Sequence, residues 1–163
     1  IQGSTSGSTI LKATAVASGT LTLPAATDTL VGKATTDTLT NKTLTTPTIT
    51  KPILNATNPI AQTYTPAGGA TATLDLSLAN QNYITMPAGN ITIALSNDTN
   101  NQVFLVSITQ DAIGSRTVTW FSTIRWATGT VPTLTTTANK RDVFGFIRTG
   151  TGTYDGFIIG QNI

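Results

Sequence analysis

Aspartate is the residue type in this chain that could support acid–base chemistry. All seven acidic residues are Asp, and there is no Glu: Asp28, Asp37, Asp75, Asp98, Asp111, Asp142 and Asp155. Two carboxylates at a suitable separation can serve as the acid and the base of a glycoside hydrolase. No sequence feature selects a pair, and several of the seven stand in turn-like sequence, where an Asp side chain binds its own backbone. We therefore expect structural roles for them and predict no catalytic residue.

Two other clusters combine residue types that bind ligands. Trp120, Arg125 and Trp126 could form an exposed platform for a sugar or a protein, or the two rings could belong to the core. The two Trp residues have the same parity, so on an uninterrupted strand they would share a face.

Residues 96–101 (SNDTNN) are rich in oxygen atoms that could wrap Ca²⁺. Only Asp98 is charged there, and a polar hairpin turn explains the run equally well, so we predict no metal site.

The residue types that the chain lacks exclude several classes of enzyme. There is no His and no Cys, which rules out a Ser-His-Asp triad, a thiol nucleophile, a disulfide framework and the ordinary zinc or iron sites. We predict that the chain is not an enzyme and uses no cofactor. Thr supplies 37 of the 163 residues, and Thr favours strands over helices.

The charge pattern gives no sign of nucleic acid or membrane as a partner. Nine basic and seven acidic residues leave a net charge of +2, and Lys140-Arg141 is the one adjacent basic pair. No apolar run approaches the length of a membrane span, and no signal-peptide pattern opens the chain. Because the sequence starts at Ile1, we expect it to be a fragment, a cleaved product or part of something longer.

The composition divides the chain into two parts. All ten aromatic residues lie between Tyr64 and Phe157, whereas residues 1–63 carry 14 large aliphatic side chains. That amount of apolar surface does not offset the conformational entropy of ordering 63 residues. We predict an extended N-terminal arm or shaft over 1–63, which orders by oligomerisation, and a separate domain over 64–163.

The arm carries a spacing that suits contacts between chains. The string TDTL at 27–30 returns at 36–39, and apolar residues then fall five apart, at Leu39, Leu44, Ile49 and Leu54. A spacing of five fits neither a helix face nor one face of a strand. An extended chain kinked at its prolines could present one anchor per step, and identical chains around a symmetry axis would bury such anchors together. We predict that these four residues are oligomerisation anchors.

The C-terminal part is predicted to be all-β. Alternating apolar and polar residues and turn signals mark short strands at 73–78, 82–86, 91–95, 103–109, 116–121, 123–126, 133–137, 142–148 and 154–159. Eight or nine short strands in about a hundred residues are typical of a β-sandwich, and we expect a jelly roll.

Several of these strings resemble the surface proteins of tailed bacteriophages. The segments at 18–24 (SGTLTLP), 26–32 (ATDTLVG) and 36–44 (TDTLTNKTL) resemble the Thr-rich parts of tail-fibre and head-fibre proteins. The segment at 108–120 (ITQDAIGSRTVTW), with its continuation through Trp126, 132–135 and 142–144, resembles terminal β-domains of such proteins.

The resemblance implies a function as well as a fold. It implies a homotrimeric structural component of the virion surface, namely a fibre, spike or head-decoration protein, which contacts capsid or tail proteins and has no cofactor. The alternative is a receptor- or carbohydrate-binding tip that contacts host surface glycan through Trp120, Arg125 and Trp126.

Overall fold

The computed structural model describes Leu39, residues 41–53 and residues 58–163. The chain divides into two units, Ile1–Pro52 and Ile53–Ile163. In the part that is described, all regular structure longer than one turn is β-strand. No helix in this part is long and apolar enough to cross a membrane.

The second unit is built from short strands in two sheets. The strands are β1 (Ala61–Tyr64), β2 (Thr71–Asp75), β3 (Gln81–Thr85), β4 (Ile91–Ser96), β5 (Val103–Thr109), β6 (Val118–Thr119), β7 (Thr123–Trp126), β8 (Arg141–Gly150) and β9 (Thr153–Gly160). One sheet has the order β1-β3-β5-β8-β9-β7, and the other has the order β2-β4-β6. The prediction of an all-β domain with two sheets is confirmed.

The first six strands form a coil, because consecutive strands alternate between the two sheets. Strand β1 pairs in parallel with β3 and β3 with β5, while β2 pairs in parallel with β4 and β4 with β6. Partners such as Ala61 and Gln81, or Ile91 and Val118, lie one full turn of the coil apart in the sequence. We call strands β1–β6 the parallel coil.

The observed pairing differs from the antiparallel order of the jelly roll that we expected. Antiparallel pairing is found for β5 with β8 and for β8 with β9, whereas the edge strand β7 runs parallel to β9. The alternation of apolar and polar residues shows that a strand has one buried face, but it carries no information on the direction of its neighbour. Turn signals between short strands therefore could not separate the two topologies.

Side chains from both sheets share one core. Phe104, Phe144 and Phe146 of the larger sheet are fully buried, as are Leu74 and Ile93 of the smaller sheet. In the smaller sheet, Leu74 and Ile93 follow exposed Thr73 and Thr92 along their strands, the alternation that a half-buried sheet requires.

Most predicted strands are confirmed, with differences at four places. Strand β2 ends at Asp75, whose carboxylate accepts a hydrogen bond from the Ser77 backbone and so turns the chain. Residues 133–137 form no strand, because the backbone N–H of Thr135 donates to the Asp142 carboxylate instead of to a neighbouring strand. The strand predicted at 116–121 is reduced to β6.

The fourth difference lies at the start of the domain. Strand β1, which was not predicted, begins at Ala61 and so takes in residues that we assigned to the arm. It pairs with β3 at the edge of the larger sheet.

Candidate functional site

The described part of the arm has a backbone that repeats every five residues. Residues 41–53 contain neither strand nor helix, and their φ angles are positive at Asn41 (53°), Thr46 (48°) and Lys51 (51°). Asn tolerates the left-handed region, but a β-branched residue such as Thr adopts it at a cost of about 1–3 kcal/mol. Such a conformation persists where surrounding contacts hold it. Residues 41–53 therefore carry a regular series of kinks, at least one of which is strained.

The kinks lie next to the prolines and not on them. Thr46 precedes Pro47 and Lys51 precedes Pro52. A residue before proline normally adopts an extended conformation, so a positive φ there is doubly unusual. We predicted that the chain is kinked at its prolines, but each of these kinks lies one residue before the proline. Proline fixes its own φ near −65°, so the positive φ falls on the residue that precedes it.

The predicted anchors keep a fixed position relative to these kinks. Leu44 and Ile49 each stand three residues after a residue with positive φ. The exposed fractions of Leu39, Leu44 and Ile49 are 47%, 54% and 58% in the single chain. Leu54, together with the earlier string at 27–30, lies outside the described residues. Three apolar side chains spaced five residues apart are thus exposed in the single chain. Their role as anchors stays a prediction.

Trp120 and Trp126 belong to the aromatic core of the β-domain. Their ring centroids are 5.4 Å apart, and the Trp120 ring lies 5.0 Å from that of Phe144. Trp126 is buried, and a Cβ on Gly156, its partner in the neighbouring strand, would lie 2.7 Å from the indole ring. Trp126 lies in the core and the partly buried Trp120 packs against it, which favours the core over the exposed platform. The two residues lie in the same cluster, as their equal parity predicts, but this cluster packs inside the β-domain.

Arg125 points away from these rings. Its Nε lies 2.7 Å from Oδ1 of Asp155, its partner in β9, and its Nη2 donates to Thr149 Oγ1 at 3.0 Å. It alternates with Trp126 along β7, so the two side chains emerge on opposite faces of the sheet. Trp120 keeps one edge at a surface cleft of about 240 Å³ beside Val131 and Pro132. The three residues therefore do not form one binding patch.

Two of the Asp residues shape turns, as the sequence predicts. Asp75 accepts hydrogen bonds from Asn97, Ser77 Oγ and the Ser77 backbone, and these bonds lower the pKa of its carboxyl. Asp111 accepts from the backbone of Ile113 and Gly114 and forms an ion pair with Arg116, which lowers the pKa of Asp111. Both carboxylates are held in their charged form by the turns that they stabilise.

Asp98, the charged residue of the oxygen-rich segment 96–101, is bound by protein groups. Its Oδ2 lies 2.8 Å from Arg148 Nε and accepts a 2.7 Å hydrogen bond from the Tyr154 hydroxyl. Burial and this hydrogen bond to Asp98 raise the pKa of Tyr154 to about 12. The carboxylate thus joins a turn of the parallel coil to strands β8 and β9. No group of three or more potential metal-ligating side chains occurs within the described ranges.

The remaining described carboxylate, Asp142, is buried and organises the C-terminal segment. It accepts hydrogen bonds from the backbone N–H groups of Thr135 (2.6 Å) and Asn162 (3.0 Å) and from the Thr135 hydroxyl (2.7 Å). Asp28 and Asp37 lie outside the described residues. Each described Asp is therefore engaged in holding a turn, a loop or a neighbouring strand.

The turns of the parallel coil are stacked directly on one another. Gly69 N donates to Asn90 O at 2.8 Å, and Thr92 N donates to Ala70 O at 3.0 Å. The Asn90 side chain then accepts from Thr117 N at 2.9 Å, which joins the third turn to the second. Sequence reasoning missed this stack. The signal was present as a repeat of 21 residues, PAGGATATL at 66–74 and PAGNITIAL at 87–95.

A shallow groove on the outer face of the larger sheet was also missed. It has a volume of about 120 Å³ and is lined by Gln81, Asn82, Tyr83, Leu105, Ser107, Arg141 and Val143. Its residues come from three strands, so their proximity depends on the register of β3, β5 and β8. The apolar residues at outward positions were the one available signal.

The chain matches no protein-family model, no curated protein and no solved structure.

Proposed function

We propose that the chain is a structural component of a bacteriophage virion, a trimeric fibre, spike or head-decoration protein that acts by assembly and adhesion. In this proposal the extended arm associates with sister chains, and the β-domain, whose sheets end in exposed edges, forms a globular part at the virion surface. Its partners are two further copies of itself and the capsid or tail proteins to which it attaches. It performs no catalysis.

The observation that supports the proposal most strongly is the coincidence of two five-residue periods in the arm. One period is in the backbone, as positive φ angles, and the other is in the side chains, as exposed Leu44 and Ile49. A single chain gains nothing from a strained kink that exposes an apolar side chain. Identical chains around a common axis gain burial at every step, and the phage resemblance implies three of them.

The alternative function, a receptor- or carbohydrate-binding tip, requires a surface other than the two tryptophans. Trp126 is buried and Trp120 packs against the same core. A glycan-binding role would therefore depend on another part of the β-domain.

Cysteine cross-linking tests the proposed association, since the chain has no Cys of its own. Ile49→Cys places one thiol at a predicted anchor, and Val131→Cys places one at an exposed position of the β-domain. Under mild oxidation we expect covalent dimers for Ile49→Cys, because equivalent anchors meet at the axis, and none for Val131→Cys. Equal yields for the two variants would overturn the assignment of the arm as the interface.

A further inference from the structure

The groove on the outer face of the larger sheet has a polar floor. Ser107 of β5 lies between Tyr83 of β3 and Val143 of β8 in the register of the three strands. Its side chain is small beside those of its two neighbours, so the surface is lowest there. Leu105 and Arg141 complete the wall of the groove.

The Ser107 hydroxyl is buried without a hydrogen-bond partner. Ser107 is 5% exposed, and its Oγ is the one buried side-chain polar atom without a partner in the described part of the chain. An unmet buried hydroxyl costs about 1–3 kcal/mol, and an Ala at this position would avoid that cost. A hydroxyl aimed into a groove is accounted for if a ligand supplies the missing partner.

Arg141 supplies a positive charge that no described carboxylate neutralises. The other three arginines form ion pairs: Arg116 with Asp111, Arg125 with Asp155 and Arg148 with Asp98. The backbone of Arg141 is fixed by two 3.0 Å hydrogen bonds to Ile163. The adjacent Asp142 does not neutralise it, because that carboxylate is buried and bonded to Thr135 and Asn162. No acidic residue lines the groove.

The opposite wall combines an aromatic ring with an amide. Tyr83 is exposed, and its hydroxyl lies 3.4 Å from Oε1 of Gln81, which stands on the same face of β3. The ring offers an apolar surface, and the amide nitrogen of Gln81 remains as a donor. A few polar groups around an apolar surface are the usual composition of a small-ligand site.

We propose that this groove binds a carboxylated sugar, such as one uronic acid unit of an anionic polysaccharide. The sugar carboxylate pairs with the Arg141 guanidinium, a charge-assisted contact of the strong kind. A ring hydroxyl bonds to Ser107 Oγ and the Gln81 amide, and the ring lies against Tyr83. Because the groove is shallow, a single site binds weakly, and several copies in one assembly raise the avidity. The site goes beyond the assembly role and does not depend on it.

Saturation-transfer NMR with the full chain tests the site, because it detects weak ligands on large assemblies. The probes are D-glucuronate, the neutral sugar methyl glucoside and acetate, each at millimolar concentration. We expect transfer to glucuronate, with at least a fivefold weaker response from methyl glucoside and from acetate. Equal responses to glucuronate and acetate would mean that the groove does not recognise a sugar and would overturn the proposal, as would no response to glucuronate.

Three variants locate the binding. Arg141→Gln and Ser107→Ala should each weaken the glucuronate response several-fold, and Ser107→Ala should leave the melting temperature equal or higher. Arg125→Gln is the matched control, since it removes an exposed arginine from the same sheet outside the groove. If Arg141→Gln binds as the wild type does, the assignment is wrong. The mass of the assembly is measured on the same samples, so loss of binding and loss of association are told apart.

Discussion

The Tyr154 hydroxyl donates a 2.7 Å hydrogen bond to Asp98 Oδ2, across 56 residues of sequence. Asp98 lies in a turn of the parallel coil, and Tyr154 lies on β9 in the antiparallel part of the sheet. Arg148 on β8 contacts the same carboxylate oxygen and also donates to the Asp98 carbonyl. These contacts fasten the turn between β4 and β5 to the β8–β9 hairpin.

The Tyr154 contact predicts a loss of stability in alkali. Burial and Asp98 raise the pKa of Tyr154 from 10.0 to about 12, so the folded state holds this proton more tightly than the unfolded state does. The resulting stability is fully present below pH 10 and is lost as the pH rises through about 12. We expect Tyr154→Phe to cost about 1 kcal/mol at neutral pH and to lose less stability than the wild type over that range. Denaturant unfolding at a series of pH values measures both; parallel pH profiles for the two proteins would contradict the assignment.

The anchors predict a selective loss of assembly. The double variant Leu44→Asp/Ile49→Asp should not assemble, because each buried aliphatic side chain contributes about 2 kcal/mol and a buried carboxylate adds a penalty. Thr43→Asp/Thr48→Asp adds the same two negative charges at exposed neighbouring positions and should still assemble. Sedimentation velocity distinguishes the two, and equal behaviour of both double variants would remove the basis for the five-residue anchor pattern.

The kink at Thr46 predicts an unusual effect of glycine. Thr46→Gly relieves a strained φ of 48° and should leave the stability of the assembly unchanged or raise it by about 1 kcal/mol. Thr48→Gly, at a position without positive φ, should lower it by about 0.5–1 kcal/mol. Thermal dissociation of the assembly measures the difference; a larger loss for Thr46→Gly than for Thr48→Gly would show that the backbone is not kinked there.

The aromatic core predicts a contrast between two glycines of the β8–β9 hairpin. A Cβ on Gly156 would meet Trp126 and Ile124 at 2.7 Å, whereas one on Gly150 would meet nothing within 4 Å. Gly156→Ala should therefore cost about 1–3 kcal/mol by overpacking, and Gly150→Ala should cost much less. The free energy of unfolding in denaturant tests this. Equal values would mean that Trp126 does not pack over Gly156.

Sequence patterns located most of the strands but did not predict how the strands pair. The alternation of Ile91, Ile93 and Leu95 located β4, because a half-buried strand imposes that alternation in either direction. The parallel pairing of β4 with β2 follows from the repeated turn at Gly68 and Gly89, whose backbones stack so closely that a Cβ on Gly89 would lie 3.1 Å from Gly68 Cα. The 21-residue repeat therefore indicated the parallel pairing, whereas the alternation of apolar and polar residues did not.

The sites show the same division between local and long-range information. The shared parity of Trp120 and Trp126 is local, and it correctly joined the two rings, but only the packing of Phe144 and Phe146 decides that they lie inside. The Ser107 groove depends on three strands from distant parts of the chain. A serine in a mostly apolar strand does not by itself indicate that its hydroxyl is buried without a partner.

The mass of the full chain in solution tests the central claim most directly. Light scattering on a sizing column should give a species of three times 16.9 kDa that persists on dilution. A monomer of 16.9 kDa at all concentrations would contradict self-assembly through the arm and leave its exposed anchors without the proposed partners.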